Sequence, residues 1–135
     1  MGRPILTGIA AFTAVSGFLA DWNRTHLFNP RWTPHAKFHD AWTILLGTSL
    51  GSTALYLLWC RRPDPAVSAL LLAQFWAAQA GSFAFPGAAG VTKEFRRASS
   101  RRGLAKIPEG VASAAMLALT GLGYLLERRR LRRSS

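Results

Sequence analysis

Four stretches of this chain, residues 4–20, 41–59, 66–85 and 110–126, contain no Lys, Arg, Asp or Glu. Each is 17 to 20 residues long. At ~1.5 Å of helical rise per residue, each spans roughly the 30 Å hydrocarbon thickness of a bilayer. The pattern predicts an all-α integral membrane four-helix bundle, one domain over residues 1–135. The expected spans are 4–20, 34–59, 66–85 and 108–126, followed by a basic tail at 127–135.

The punctuation agrees with these spans. Pro4 suits the first turn of a helix, where its missing N–H costs nothing. Thr33-Pro34 reads as an N-cap followed by proline at the first helical position, which starts the second helix well before its apolar block. Arg61-Arg62-Pro63-Asp64-Pro65 is a helix-incompatible turn into the third helix, Pro86-Gly87 ends it, and Ile107-Pro108-Glu109 opens the fourth. The first block is read as a retained helix, since it runs into Asp21-Trp22-Asn23 without a small-residue cleavage site. In lipid, close helix packing needs small side chains. Gly47 with Gly51, Thr48 with Ser52, Ala77 with Gly81, and Ala114 with Ala118 supply them four apart.

Composition narrows the classes. The 135 residues carry a net charge of +11 and one cysteine, Cys60. A disordered chain, a disulfide scaffold and a soluble DNA-binding domain are excluded by the share of the chain in apolar blocks. Basic residues flanking membrane helices attract anionic lipid and set topology. No zinc knuckle, glycine-rich phosphate loop or RNA-binding aromatic motif accompanies them, so anionic lipids are the expected partner and nucleic acid is not. Residues 91–105 are strongly basic and read either as a loop or as a short helix on headgroups. The two membrane sides carry eight and nine Lys and Arg. Arginines hard against the helix ends favour both termini in the cytoplasm, with a bacterial plasma membrane as the expected location.

Candidate chemistry gathers between the first two spans. Residues 21–40 hold all three histidines and two of the six acids. On a helix from Pro34, His35, His39 and Thr43 stand one above another, flanked by Phe38 and Trp42. Turned toward the bundle, this stripe would line a cavity mouth, with Asp21, Asn23 and His26 on the opposite wall. Asp21, His26, His35, His39, Asp40, Glu94 and Glu109 all fall at one end, against Asp64 and Glu127 at the other.

Three chemistries fit such a cluster. Imidazole and carboxylate at the edge of a low-dielectric cavity suit general acid–base work on a lipophilic substrate. His39 and Asp21 are then the leading proton donor and acceptor, His35 and His26 orient them, and Asn29 and Glu109 support them. Asn23, Asn29, Trp32, Trp42, Thr43, Trp76 and Gln79 would contact the ligand. A metal set of His35, His39, His26 and Asp21 is the second reading. It lacks the Glu that a metalloprotease helix places directly after its first histidine, where Ala36 stands, so neither metal nor cofactor is expected. The third reading is structural: Asp21 pairs with Arg24, Lys37 with Asp40, and Glu109 answers a helix dipole. Gln74 and Gln79 lie about 140° apart on their helix, so one cavity wall does not hold both, and Gln79 is nearer the acid-rich end.

The run from Asp21-Trp22-Asn23-Arg24-Thr25-His26-Leu27-Phe28-Asn29-Pro30 to Arg31-Trp32-Thr33-Pro34-His35-Ala36-Lys37-Phe38-His39 resembles the signature of a family of small four-span membrane proteins from bacteria and fungi. That family has no established reaction, and the acetyltransferase label some members carry finds no motif here. In layout, though not by any motif, the chain is also similar to the emopamil-binding and sigma-two receptor group. That likeness implies lipid-like ligands and, through the group's sterol isomerases, protonation of a double bond by acidic and histidine side chains.

The expected function is therefore a membrane-embedded isomerase, cyclase or epoxide-opening enzyme for a terpenoid, sterol-like or polyketide-like small molecule. The alternative is a non-catalytic lipid-binding or scaffold subunit that meets its partners through small-residue faces. Homo-oligomerisation is open and would revive a channel or carrier. A monomeric channel is disfavoured, because no charged residue lies mid-helix.

Overall fold

The computed structural model describes residues 1–90 and 107–134, apart from the side chain of Ser134. The predicted features of residues 91–105, including Glu94, lie outside the described residues. Four long helices make up the rest: α1 (Gly2–Asp21), α2 (Pro34–Trp59), α3 (Pro65–Gly81) and α4 (Glu109–Ser134). A 3₁₀ turn, Ser82–Ala84, extends α3. There is no strand among the described residues.

Local chemistry sets the helix starts. Thr33 caps α2, its hydroxyl accepting from Ala36 N at 3.2 Å, with Pro34 directly after it. Asp64 caps α3 by accepting from Ala66 N and Val67 N at 3.1 and 3.0 Å, again followed by a proline. α4 does not stop at the end of its apolar block. It continues through the arginines to Ser134, so most of the expected tail is helix.

The helices pack in ring order, α1 against α2 and α4, and α3 against α2 and α4, with α1 also touching α3 across the middle. The small residues explain how closely α1 and α2 approach. A Cβ at Gly51 would collide with backbone atoms of Ala14 and Ala10, and one at Gly17 would meet the Ile44 Cα at 2.9 Å. Gly2 is equally tight against α4, where a Cβ would meet backbone atoms of Glu127 and Gly123. Leu6, Ile9, Ala10, Ala54, Leu58, Ala69 and Leu72 form the apolar core beside these contacts.

Polar groups inside the bundle are satisfied across helices. Trp76 Nε1 donates to Thr13 Oγ1 at 3.0 Å, Thr48 Oγ1 to the Ala14 carbonyl at 2.9 Å, and Ser68 Oγ to the Ala54 carbonyl at 2.9 Å. All four helices are long and apolar enough to cross a membrane, and large apolar side chains such as Leu45, Leu70, Leu122 and Leu125 face outward. In water that exposure would be costly, whereas hydrocarbon accepts it.

Candidate functional site

The connection from α1 to α2 is wound tightly over the end of α1. Asn23 does much of this: its Nδ2 donates to the Ala20 carbonyl at 2.5 Å, and its Oδ1 accepts from Thr25 N at 2.8 Å. Asn29, buried, donates to the Thr25 carbonyl at 3.2 Å and accepts from Arg31 N at 2.9 Å. Such side-chain bonds to backbone replace the ladder that a loop lacks. Both asparagines, expected to touch a ligand, thus hold the loop in shape.

This winding places His26 beside Asp21. His26 Nε2 lies 3.7 Å from Asp21 Oδ1, and both side chains are about three-quarters covered. The imidazole is held from its other side by Thr25 Oγ1, 2.9 Å from Nδ1, and the His26 ring meets the Trp32 ring edge-on at 5.6 Å. Asp21 ends α1, where the helix dipole is negative and disfavours a carboxylate, a penalty that a protonated imidazole nearby offsets. His26 is that neighbour.

Asp40, in the second turn of α2, completes the group. It stands within electrostatic reach of both Asp21 and His26. Its Oδ2 is covered and has no hydrogen-bond partner among the described residues, and the expected ion pair with Lys37 is not made. A covered carboxylate oxygen without a donor is costly, and such exceptions call for a reason.

The stripe that the spacing singled out faces the other way. His35 and His39 are exposed, with Nε2 of one 3.1 Å from Nε2 of the other. Thr43, also exposed, bonds back to the His39 carbonyl at 2.9 Å, and Trp42 is 57% exposed. His39 is therefore not brought to Asp21, and the stripe lines no space between helices. The reason is rotational. The inward face of α2 is Ile44, Gly47, Gly51, Ala54 and Leu58, and a residue nine before Ile44, such as His35, sits about 180° away.

The remaining expected site residues are spread out. Trp76 is buried, stacked on Phe12 at 6.0 Å and bonded to Thr13, so it serves the core. Gln79 is half-buried and Gln74 exposed on α3. Glu109 lies at the start of α4 against Gly90, where a Cβ would come within 2.5 Å of its Oε2. Among the described residues, no three His, Cys, Asp or Glu side chains converge as a metal set. The sets His35, His39, His26 and Asp21 therefore divide into two separate pairs.

The opposite end holds a second polar centre that the sequence reading passed over. Glu127, 1% exposed, accepts from Arg3 N at 2.9 Å and from Arg130 Nε and Nη2 at 2.9 and 2.6 Å. The Arg3 guanidinium lies 4.0 Å over the Trp59 ring and donates to the Leu58 carbonyl. Trp59 in turn donates to Thr7 at 3.0 Å. One carboxylate thus ties the start of α1 to α4, and one arginine ties α1 to the end of α2.

Fold and site together define a small integral membrane protein of four apolar helices, with an Asp21–His26 pair where the α1–α2 loop meets the bundle and Asp40 within electrostatic reach of it. The chain belongs to a family of unknown function (DUF6640), matched over residues 5–135. No curated protein and no solved structure matches it.

Proposed function

We propose that this protein is a membrane-embedded enzyme that moves a proton on a lipophilic substrate, with Asp40 and His26 as the transferring groups and Asp21 holding His26. The covered, unbonded oxygen of Asp40 beside a second carboxylate and an imidazole carries this reading. Two groups of different chemistry, one bordering the apolar interior and one in a hydrogen-bonded loop, suit giving a proton at one atom and taking it at another. Double-bond shift, cyclisation and epoxide opening all fit. Each is redox-neutral: a double-bond shift or a cyclisation takes up one proton and gives up another, and epoxide opening adds water or a hydroxyl of the substrate at the carbon that loses the protonated oxygen.

The test is to reconstitute the chain in nanodiscs, incubate it with a lipid extract from cells that make it, and compare products by mass spectrometry. Parent protein should convert at least one component. Asp40→Asn and His26→Gln should each cut that conversion by about 10²-fold or more, the scale of a general acid or base. Conversion undiminished in both variants would sink the assignment.

A scaffold role is the second reading, favoured by the outward small residues Ala77, Gly81, Ala114 and Ala118 on α3 and α4. Gly81→Leu should then strip a partner from the purified complex while leaving any turnover unchanged. For orientation, Arg61, Arg62 and the α4 arginines all border one end of the bundle, hard against the helix ends, and this supports placing that end in the cytoplasm.

A further inference from the structure

We propose that His35 and His39 form a two-imidazole chelate for a divalent transition metal, Cu²⁺ or Zn²⁺, on the outer surface of the bundle at the loop end. The site is independent of the Asp21, His26 and Asp40 group. The spacing of their nitrogens is that of a chelate. With metal–nitrogen bonds of about 2.0–2.1 Å, two cis nitrogens stand roughly 2.9 Å apart at a right angle and roughly 3.4 Å apart at a tetrahedral one. The two Nε2 atoms are 3.1 Å apart, between these limits, with their rings 82° to one another.

The backbone beneath them is rigid. Both residues lie in the first two turns of α2, fastened by the Thr33 cap and Pro34. Little ordering cost remains for a metal to meet, because the side chains converge before it arrives. Neither ring is committed to the core or to another element: their contacts are with each other, Phe38 and Trp42. Imidazole nitrogen selects borderline metals over Mg²⁺ and Ca²⁺, with Cu²⁺ held more tightly than Zn²⁺. No third His, Cys, Asp or Glu joins the pair among the described residues, so water or an anion fills the other positions. When the metal binds, the ring that donates in the present N–H···N contact carries its proton on Nδ1 instead, which leaves both Nε2 lone pairs to the metal.

The experiment uses the full chain without an affinity tag, in nanodiscs of zwitterionic lipid, titrated with Cu²⁺ alone and then Zn²⁺ alone. Parent protein should bind one Cu²⁺ whose electron paramagnetic resonance spectrum shows two equatorial imidazole nitrogens, and Zn²⁺ should compete more weakly. His35→Ala and His39→Ala should each weaken Cu²⁺ binding roughly tenfold or more and leave one nitrogen in the spectrum. Both positions are exposed, so the variants retain the fold. His26→Ala should leave binding unchanged. Equal Cu²⁺ affinity in parent, His35→Ala and His39→Ala, a one-nitrogen spectrum in the parent, or an equal loss in His26→Ala would each overturn the proposal.

Discussion

At the scale of single residues, two carboxylates behave unlike the rest of this apolar bundle, and they do so for the same reason. Asp40 stands four residues before Ile44, so it extends the inward stripe of Ile44, Gly47, Gly51, Ala54 and Leu58 by one turn. Glu127 extends the buried line of Ser113, Thr120 and Gly123 on α4. Both are carried into the bundle by helical register. Glu127 meets the Arg130 guanidinium and the Arg3 backbone N–H there, while Asp40 lies within electrostatic reach of an acid and an imidazole. Glu127 is therefore a structural charge whose removal strands a partner. Glu127→Ala should destabilise the protein by about 2 kcal/mol, read as a lower melting temperature in detergent, because it strands the Arg3 N–H while the half-exposed Arg130 can turn to water, whereas Glu127→Gln, which keeps one acceptor, should cost less. Asp40→Asn should cost little or even stabilise, because it removes a partly covered charge that stands near a second acid. Stability rising as turnover falls would separate the two acids by one pair of measurements.

At the scale of elements, the α1–α2 interface decides where the loop sits. The two helices approach so closely that backbone, not side chain, lies opposite Gly51 and Gly17. Gly51→Leu should therefore push α1 away from α2, at a cost of about 3 kcal/mol or more. It should also lower proteolytic resistance of the α1–α2 loop in detergent. The small residues Gly47 and Gly51 had a second expected use as a partner-binding face; the structure spends both on contacts within the chain, with α1 and with Phe75. Spacing alone cannot distinguish these uses, since a four-residue repeat of small residues fits a partner helix in the same chain as well as one in another. The Thr13–Trp76 bond is the polar counterpart of this packing. Thr13→Val should cost about 1 kcal/mol in the same melting assay.

At the scale of the whole molecule, the two ends of the bundle are chemically different. The loop end carries Asp21, His26 and Asp40 and the exposed aromatics Trp22, Phe28, Phe38 and Trp42, side chains suited to the membrane–water boundary. The other end carries the Arg3–Glu127–Arg130 knot and the helical run of arginines. Because α4 continues past its apolar block, those arginines have a fixed arrangement. Arg130 turns to Glu127, while Arg128, Arg129, Arg132 and Arg133 are exposed and fall on one arc of about 140°. Replacing these four by Gln should reduce the anionic phospholipid retained in native mass spectra of detergent-extracted protein. The difference should shrink in high salt, each arginine being worth about 1 kcal/mol near an anionic surface.

The fold was legible before any coordinates, because a membrane span is set by local composition and length and a helix start by its cap. Residues 41–59 had to be helical in hydrocarbon, where no other local structure satisfies the backbone, and Thr33-Pro34 marked where α2 begins. The polar end was legible too, since alternating spans put Asp21, His26 and Asp40 on one side. What only tertiary structure decided was rotation about each helix axis. A stripe at His35, His39 and Thr43 is a real feature of α2, but a helix has several faces, and which one turns inward depends on where α1 packs. That was set by Gly17, Gly47 and Gly51, residues with no chemistry of their own. They turn the two outer histidines toward the surroundings and leave Asp40 facing the loop that brings His26 and Asp21.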